Sequence, residues 1–168
     1  MLSSLILAAS LTSCPVTDAM YRVRNQPEVT GRFRAVPKSE GWPSGLAFQV
    51  HVRLSDRSYW FLPWQGGTDQ RTNMAWVKEE SSPLQFQDGR RDLMIITTDE
   101  NYTVLPEVPK FGDLAPSHIL MPDLGPTVWY STTAEIRDSI ARAFFDLVSC
   151  KKSDVATPAP KIEFPPVP

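Results

Sequence analysis

The sequence predicts an α+β fold: an antiparallel sheet of five or six strands packed by one long C-terminal helix. Three observations point there. Residues 46–55 alternate apolar and polar without a break. Shorter stretches before and after repeat that period of two. Residues 132–152 then change to a helical period. A chain of 168 residues, 42 % hydrophobic and 21 % charged, has the material for one packed domain. Sixteen prolines favour short strands and irregular connections over most of its length.

The elements come in this order along the chain. "MYRVR", 20–24, sets Tyr21 and Val23 against Arg22 and Arg24, and "TGRFRAV", 30–36, sets Phe33 and Ala35 against Arg32 and Arg34. In "GLAFQVHVRLS" the apolar positions are Leu46, Phe48, Val50, Val52 and Leu54, with Ala47, Gln49, His51, Arg53 and Ser55 between them. That pattern describes a strand with one face on a core and one in water. "SDRS", 55–58, turns the chain, and "YWFLPW", 59–64, returns as the second arm of a hairpin, with Pro63 marking an edge or bulge. "MAWVK", 74–78, and "DLMIITT", 92–98, are two further strands, with turns at 88–92 and 98–101. Residues 105–127 hold five prolines and read as a long loop packed on the body. In 132–152, Ile136, Ile140, Ala143, Phe144, Leu147 and Val148 share a helical face, Thr132 and Glu135 form a capping box, and Lys151 and Lys152 sit at the C-terminal end.

Ahead of the sheet, residues 2–13 form an apolar run too short to span a bilayer but of signal-peptide length. It ends in Leu11-Thr12-Ser13-Cys14, a branched apolar residue, two small residues and a cysteine. This resembles a bacterial lipobox, although no Lys or Arg precedes the apolar run. The resemblance implies a signal peptide over 1–13, lipidation of Cys14 and a membrane-anchored, periplasm-facing lipoprotein of the cell envelope. A tether over 14–19, a single globular domain over 20–152 and a Pro-rich disordered tail over 153–168 complete that organisation. An ordinary cleaved secretion signal and a core segment are the alternatives. The second cysteine, Cys150, is a lone thiol if Cys14 carries lipid. If Cys14 keeps its thiol, the two can close nearly the whole chain with a disulfide in an oxidising compartment.

The formal net charge of −2 gives no whole-molecule reason to expect a nucleic-acid partner. The charge is uneven, however: +3 over residues 1–60 and −5 over 61–168. Arg32, Arg34 and Arg53, with His51, fall on the polar side of the first strands, where a basic face can meet anionic headgroups, glycan phosphates or an acidic protein. Trp60 and Trp64 are a second set of candidate binding residues, since large rings suit interfaces. Two cysteines far apart supply no metal framework, and no cofactor motif appears. No catalytic set stands out: His51 and His118 are distant in sequence, and His118 has only Ser117 and Asp113 near it. The leading expectation is a lipid-anchored envelope protein with a macromolecule-binding domain, of an immunity, inhibitor or complex-accessory kind, with a protein partner. The alternatives are a small secreted hydrolase using the His118 loop, and a carrier of an apolar ligand between sheet and helix.

Overall fold

The computed structural model describes residues 13–39, 41–66, 71–77, 92–131, 137–151 and 161. Nine strands, β1 (Ala19–Val23), β2 (Gln26–Ala35), β3 (Leu46–Val52), β4 (Arg57–Gly66), β5 (Arg71–Val77), β6 (Asp92–Met94), β7 (Ile96–Thr98), β8 (His118–Leu120) and β9 (Phe145–Cys150), form one antiparallel sheet. Their order is β6-β5-β4-β3-β2-β1-β9-β8-β7. The edge strands β6 and β7 are the two halves of one stretch, 92–98, separated only by Ile95. Ile95 donates its N–H to Thr72 O at 3.1 Å and accepts from Thr72 Oγ1 at 2.6 Å. The sheet therefore curls into a nearly closed barrel, a meander in which strands adjacent in sequence pair, except β6 and β7 at its two ends, and β9 returns to β1.

This corrects the expected α+β architecture. The sheet buries its apolar face against itself, so it needs no helix to cover it. Among the described residues the one helix is short, α1 (Leu124–Ser131). Of the expected 132–152 helix, residues 132–136 lie outside the described residues, 137–144 run irregularly, and 145–150 are β9. The pairing of β9 with β1 skips Val148, between Met20↔Ser149 and Tyr21↔Leu147. That bulge leaves Val148 41 % exposed and breaks the period of two, so spacing alone resembles a helix.

The first five expected strands are present, within a few residues, as β1 to β5. A turn over 53–56, not 55–58, links β3 and β4. Pro63 pairs with Met74 on β5, while the β3 pairing of β4 stops at Phe48↔Phe61, so the missing N–H falls where one side of the strand has no ladder partner. The loop expected over 105–127 contains β8 and the start of α1.

Rings fill the barrel. Tyr21 and Phe33 meet at 6.2 Å, Phe33 and Phe48 at 4.7 Å, Phe48 and Phe145 at 5.7 Å, and Tyr59 and Trp76 at 5.9 Å between centroids. Gly31 faces inward on β2. A Cβ there would lie 2.5 Å from Phe48 Cζ, so only glycine lets the ring reach the backbone. One end of the barrel is plugged by Leu124 and Val128 of α1 and by Ile140, all buried. Gly125 lets the helix press onto the backbone carbonyl of Ile140. Tyr59 donates to buried Asp138 at 2.5 Å, and Gln26 clasps the same segment through Ser139 O and Ala141 N, both at 2.7 Å. Burial and the Asp138 carboxylate push the Tyr59 hydroxyl well above its ordinary pKa. The opposite end is plugged by Val108, Cys14 and Val16, with Val16 N–H donating to Asp113 O at 3.0 Å and Ala115 N–H to Cys14 O at 2.8 Å. A disulfide joins Cys14 to Cys150, Cα–Cα 5.7 Å, across 136 positions of sequence.

Candidate binding surface on the barrel wall

The period of two that sends Gly31, Phe33, Phe48 and Val50 inward sends Thr30, Arg32, Arg34, Gln49 and His51 outward. Register then decides which of them meet. Arg32 lies between Met20 on β1 and Gln49 on β3, and Thr30 lies opposite His51. Met20, Thr30, Gly31, Arg32, Arg34, Gln49 and His51 line a shallow cleft of about 240 Å³ on the outer wall.

Several contacts hold this lining in place. Gln49 Nε2 donates to Ser58 Oγ at 2.9 Å, and His51 Nδ1 lies 3.3 Å from the same hydroxyl. Ser58 on β4 thus fixes both β3 side chains, leaving the Gln49 carbonyl oxygen and His51 Nε2 as their remaining polar atoms. His51 Nε2 is 3.9 Å from the Asp56 carboxylate. Arg32 Nη2 rests 3.7 Å from Met20 Sδ. Partial burial, and then the neighbouring Arg32, hold the Arg34 guanidinium below its ordinary pKa. Two cations two residues apart on one strand face are roughly 6.6 Å apart along the chain. Such a pair raises the local potential, and an anion lowers it.

The other expected binding residues lie elsewhere. Arg53 is exposed in the β3–β4 turn, its N–H donating to Glu28 O, and does not line the cleft. Trp60 is 5 % exposed and packs with Val36, Trp42, Ala47, Leu62, Ala75 and Val77 in a second apolar cluster, with Trp64 half-buried against it. That cluster covers the wall on the β4–β5 side. Cys14 is in the disulfide, and its sulfur can hold either that bond or a lipid thioether, not both.

A second polar group straddles β1, β8 and β9. Asp146 receives Arg24 Nε at 2.8 Å and Arg24 Nη2 at 2.7 Å, and His118 Nδ1 lies 2.7 Å from the same carboxylate. The Arg24 hydrogen bonds, and then His118, hold the Asp146 carboxyl below the usual carboxylate range. Tyr102 stacks on His118 at 4.3 Å and accepts from Arg24 at 2.7 Å. Its φ of 63° is left-handed, in a turn whose Asn101 and Thr103 N–H groups both donate to the Asp99 carboxylate. The acid beside His118 is therefore Asp146; Asp113 instead accepts from Lys110 N–H. Among the described residues no hydroxyl or thiol is hydrogen-bonded to His118, so this group ties strands together without a nucleophile. Also among the described residues, no three His, Cys, Asp or Glu side chains are placed to hold a metal.

Alternation puts Arg32 and Arg34 on one face but does not pair them with Gln49, His51 and Met20. It shows which way a side chain points; only register shows what it points beside. Asp146 is hidden inside the helical reading of 132–152. Comparison with protein-family models, curated proteins and solved structures finds no match for this chain.

Proposed function

We propose that this chain is a binding module of the bacterial cell envelope, working outside the cytoplasm and engaging an acidic macromolecule through the outer wall of its barrel. The observation that carries the reading is the cleft of Arg32, Arg34, Gln49 and His51, a preorganised cationic surface on a barrel whose interior is filled with rings. A filled interior leaves the wall as the place to bind. A disulfide across 136 positions suits an oxidising compartment, which agrees with an exported chain.

Anchoring is a separate question with two chemically exclusive answers. One is the lipid thioether on Cys14 that the lipobox resemblance implies; the other is the disulfide, with the chain released or held by its partner. Mass spectrometry of the protein made in a bacterial host separates them. A diacylglyceryl mass on Cys14 assigns the first. A chain lighter by two hydrogens than its reduced form assigns the second. A reduced, unprocessed chain confined to the cytoplasm overturns the placement. Binding is tested by retention of the purified, oxidised chain on envelope fractions. Retention should weaken steeply with salt and drop at least tenfold in the Arg32→Glu, Arg34→Glu double variant. Equal retention of that variant refutes the role of the wall.

A further inference from the structure

With the chain placed outside the cytoplasm as proposed above, the two ends of the barrel offer different surfaces to the envelope. We infer that the end holding Cys14 rests on a lipid bilayer, with Phe111 and Leu114 entering the headgroup layer; this rests on that placement.

Two apolar features meet at that one end. By sequence, the apolar run 2–13 joins the barrel at Cys14. Cys14 O accepts from Ala115 N–H, and Pro15 pairs with Leu114. A bilayer that receives the run, or lipid carried on Cys14, therefore lies beside Leu114. Leu114 is 61 % exposed and Phe111, on the same connection, 56 %. The backbone beneath them is held. Phe111 N–H donates to Ser44 O at 2.8 Å, Ser44 Oγ donates to Pro109 O at 3.1 Å, and the Asp113 carboxylate accepts from Lys110 N–H at 2.8 Å. Gly112, at φ 99°, makes the turn. Two apolar side chains on a fixed backbone can meet a partner with little further ordering cost. Lys38 is exposed beside them, since its stem and Phe111 both lie against Gly45. Such a lysine can keep its ammonium at the level of the lipid phosphates while the ring goes deeper. The loop carboxylates are engaged within the loop, Glu107 with the Lys110 ammonium and Asp113 with the Lys110 N–H. The α1 end also exposes Leu54, Trp129 and Tyr130, but the carboxylates of Asp56 and Asp123 are exposed there too, and the chain does not enter there. A seat of two side chains gives reversible binding by itself, and lipid on Cys14 would make it lasting. With the Cys14 end down, the β2–β3 wall stands to the side, open to a partner.

The test uses the full, oxidised chain with vesicles of phosphatidylcholine and phosphatidylglycerol that carry a nitroxide-labelled lipid. Amide signals of residues 110–114 should broaden saturably, and those of Leu54, Trp129 and Tyr130 should not. Affinity in vesicle sedimentation should fall at least about tenfold when Phe111→Ser and Leu114→Ser are combined. Lys38→Glu should weaken it about threefold, and only with phosphatidylglycerol present, which keeps the test open if the double variant folds poorly. Trp129→Ser with Tyr130→Ser should leave it unchanged. No vesicle binding, broadening at the α1 end instead, or unchanged affinity in both loop variants overturns the inference. Envelope retention that depends on Phe111 and Leu114, is destroyed by protease treatment of the fraction and has no counterpart on vesicles assigns a protein to this end and overturns the bilayer. Vesicle binding lost in the loop variants, with envelope retention indifferent to Arg32→Glu, Arg34→Glu, overturns the wall and leaves the seat. The reverse pattern overturns the seat and leaves the wall. A reduced chain confined to the cytoplasm overturns the placement and the seat together.

Discussion

The two faces of β2 and β3 obey opposite rules. Inward, Gly31, Phe33, Phe48 and Val50 are packed so closely that one added carbon has nowhere to go. Outward, a few ångströms away on the same backbone, Arg32 and Arg34 share a strand face, and partial burial and then Arg32 lower the Arg34 pKa. The inner face is organised for stability. The outer one carries charged and polar groups that remain partly open to water. The arginines differ in environment: Arg24 is held in a fork by Asp146, which raises its pKa, while partial burial and then Arg32 lower that of Arg34.

Breaking this comparison should give effects that shrink from the interior to the wall. The largest belongs to the disulfide that closes the strand circuit. Cys14→Ala with Cys150→Ala should lower stability by about 2–5 kcal/mol, because the unfolded chain regains the freedom of a very long loop. Urea titration of oxidised and variant protein checks it, and coincident midpoints would contradict it. Next is Gly31→Ala, expected to cost about 1–3 kcal/mol through the clash with Phe48, readable as a lower melting temperature. Tyr59→Phe should cost about 1–3 kcal/mol by removing a donor from the buried Asp138 carboxylate, although Arg57 remains 3.5 Å away.

Effects on the wall should be smaller and depend on conditions. Asp146→Asn should cost about 1 kcal/mol at neutral pH, since the Arg24 side chain is 40 % exposed. The folded pKa of Asp146 lies below its unfolded value, so its contribution is complete above the unfolded pKa near 4 and is lost as pH falls through the folded value. The native protein should therefore lose more stability than the Asn variant on descending from about pH 5 to pH 2. Parallel acid limbs in a stability-versus-pH series would count against the ion pair. Smallest of all, Arg32→Gln should change stability by only a few tenths of a kcal/mol. At low salt it should favour the variant if the Arg32–Arg34 repulsion is felt, with the difference vanishing near 1 M salt.

The parts of this molecule legible in its sequence are those where local pattern and tertiary role agree. Residues 46–52 alternate because β3 has one wet and one dry face along its whole length, and Arg32 and Arg34 fall on the wet side for the same reason. Legibility fails where two patterns overlap. Phe144, Leu147 and Val148 have helical spacing only because β9 carries a bulge, and its strand state comes from partners on β1 and β8 far away in sequence. Closure of the barrel is hidden too. "DLMIITT" reads as one strand, and nothing in those seven residues tells that its first half pairs with β5 and its second with β8. The cleft is half legible: its cations can be read, but its β3 partners depend on register.

At Gly31 the barrel wall is a single peptide thick, with the cleft on one side and the Phe48 ring on the other. Occupancy outside should thus be audible inside. A molecule seated over Gly31 would shift the resonances of Phe48 and of the Phe33 and Phe145 rings packed against it, so unmodified protein carries its own built-in reporter for whatever settles on its surface.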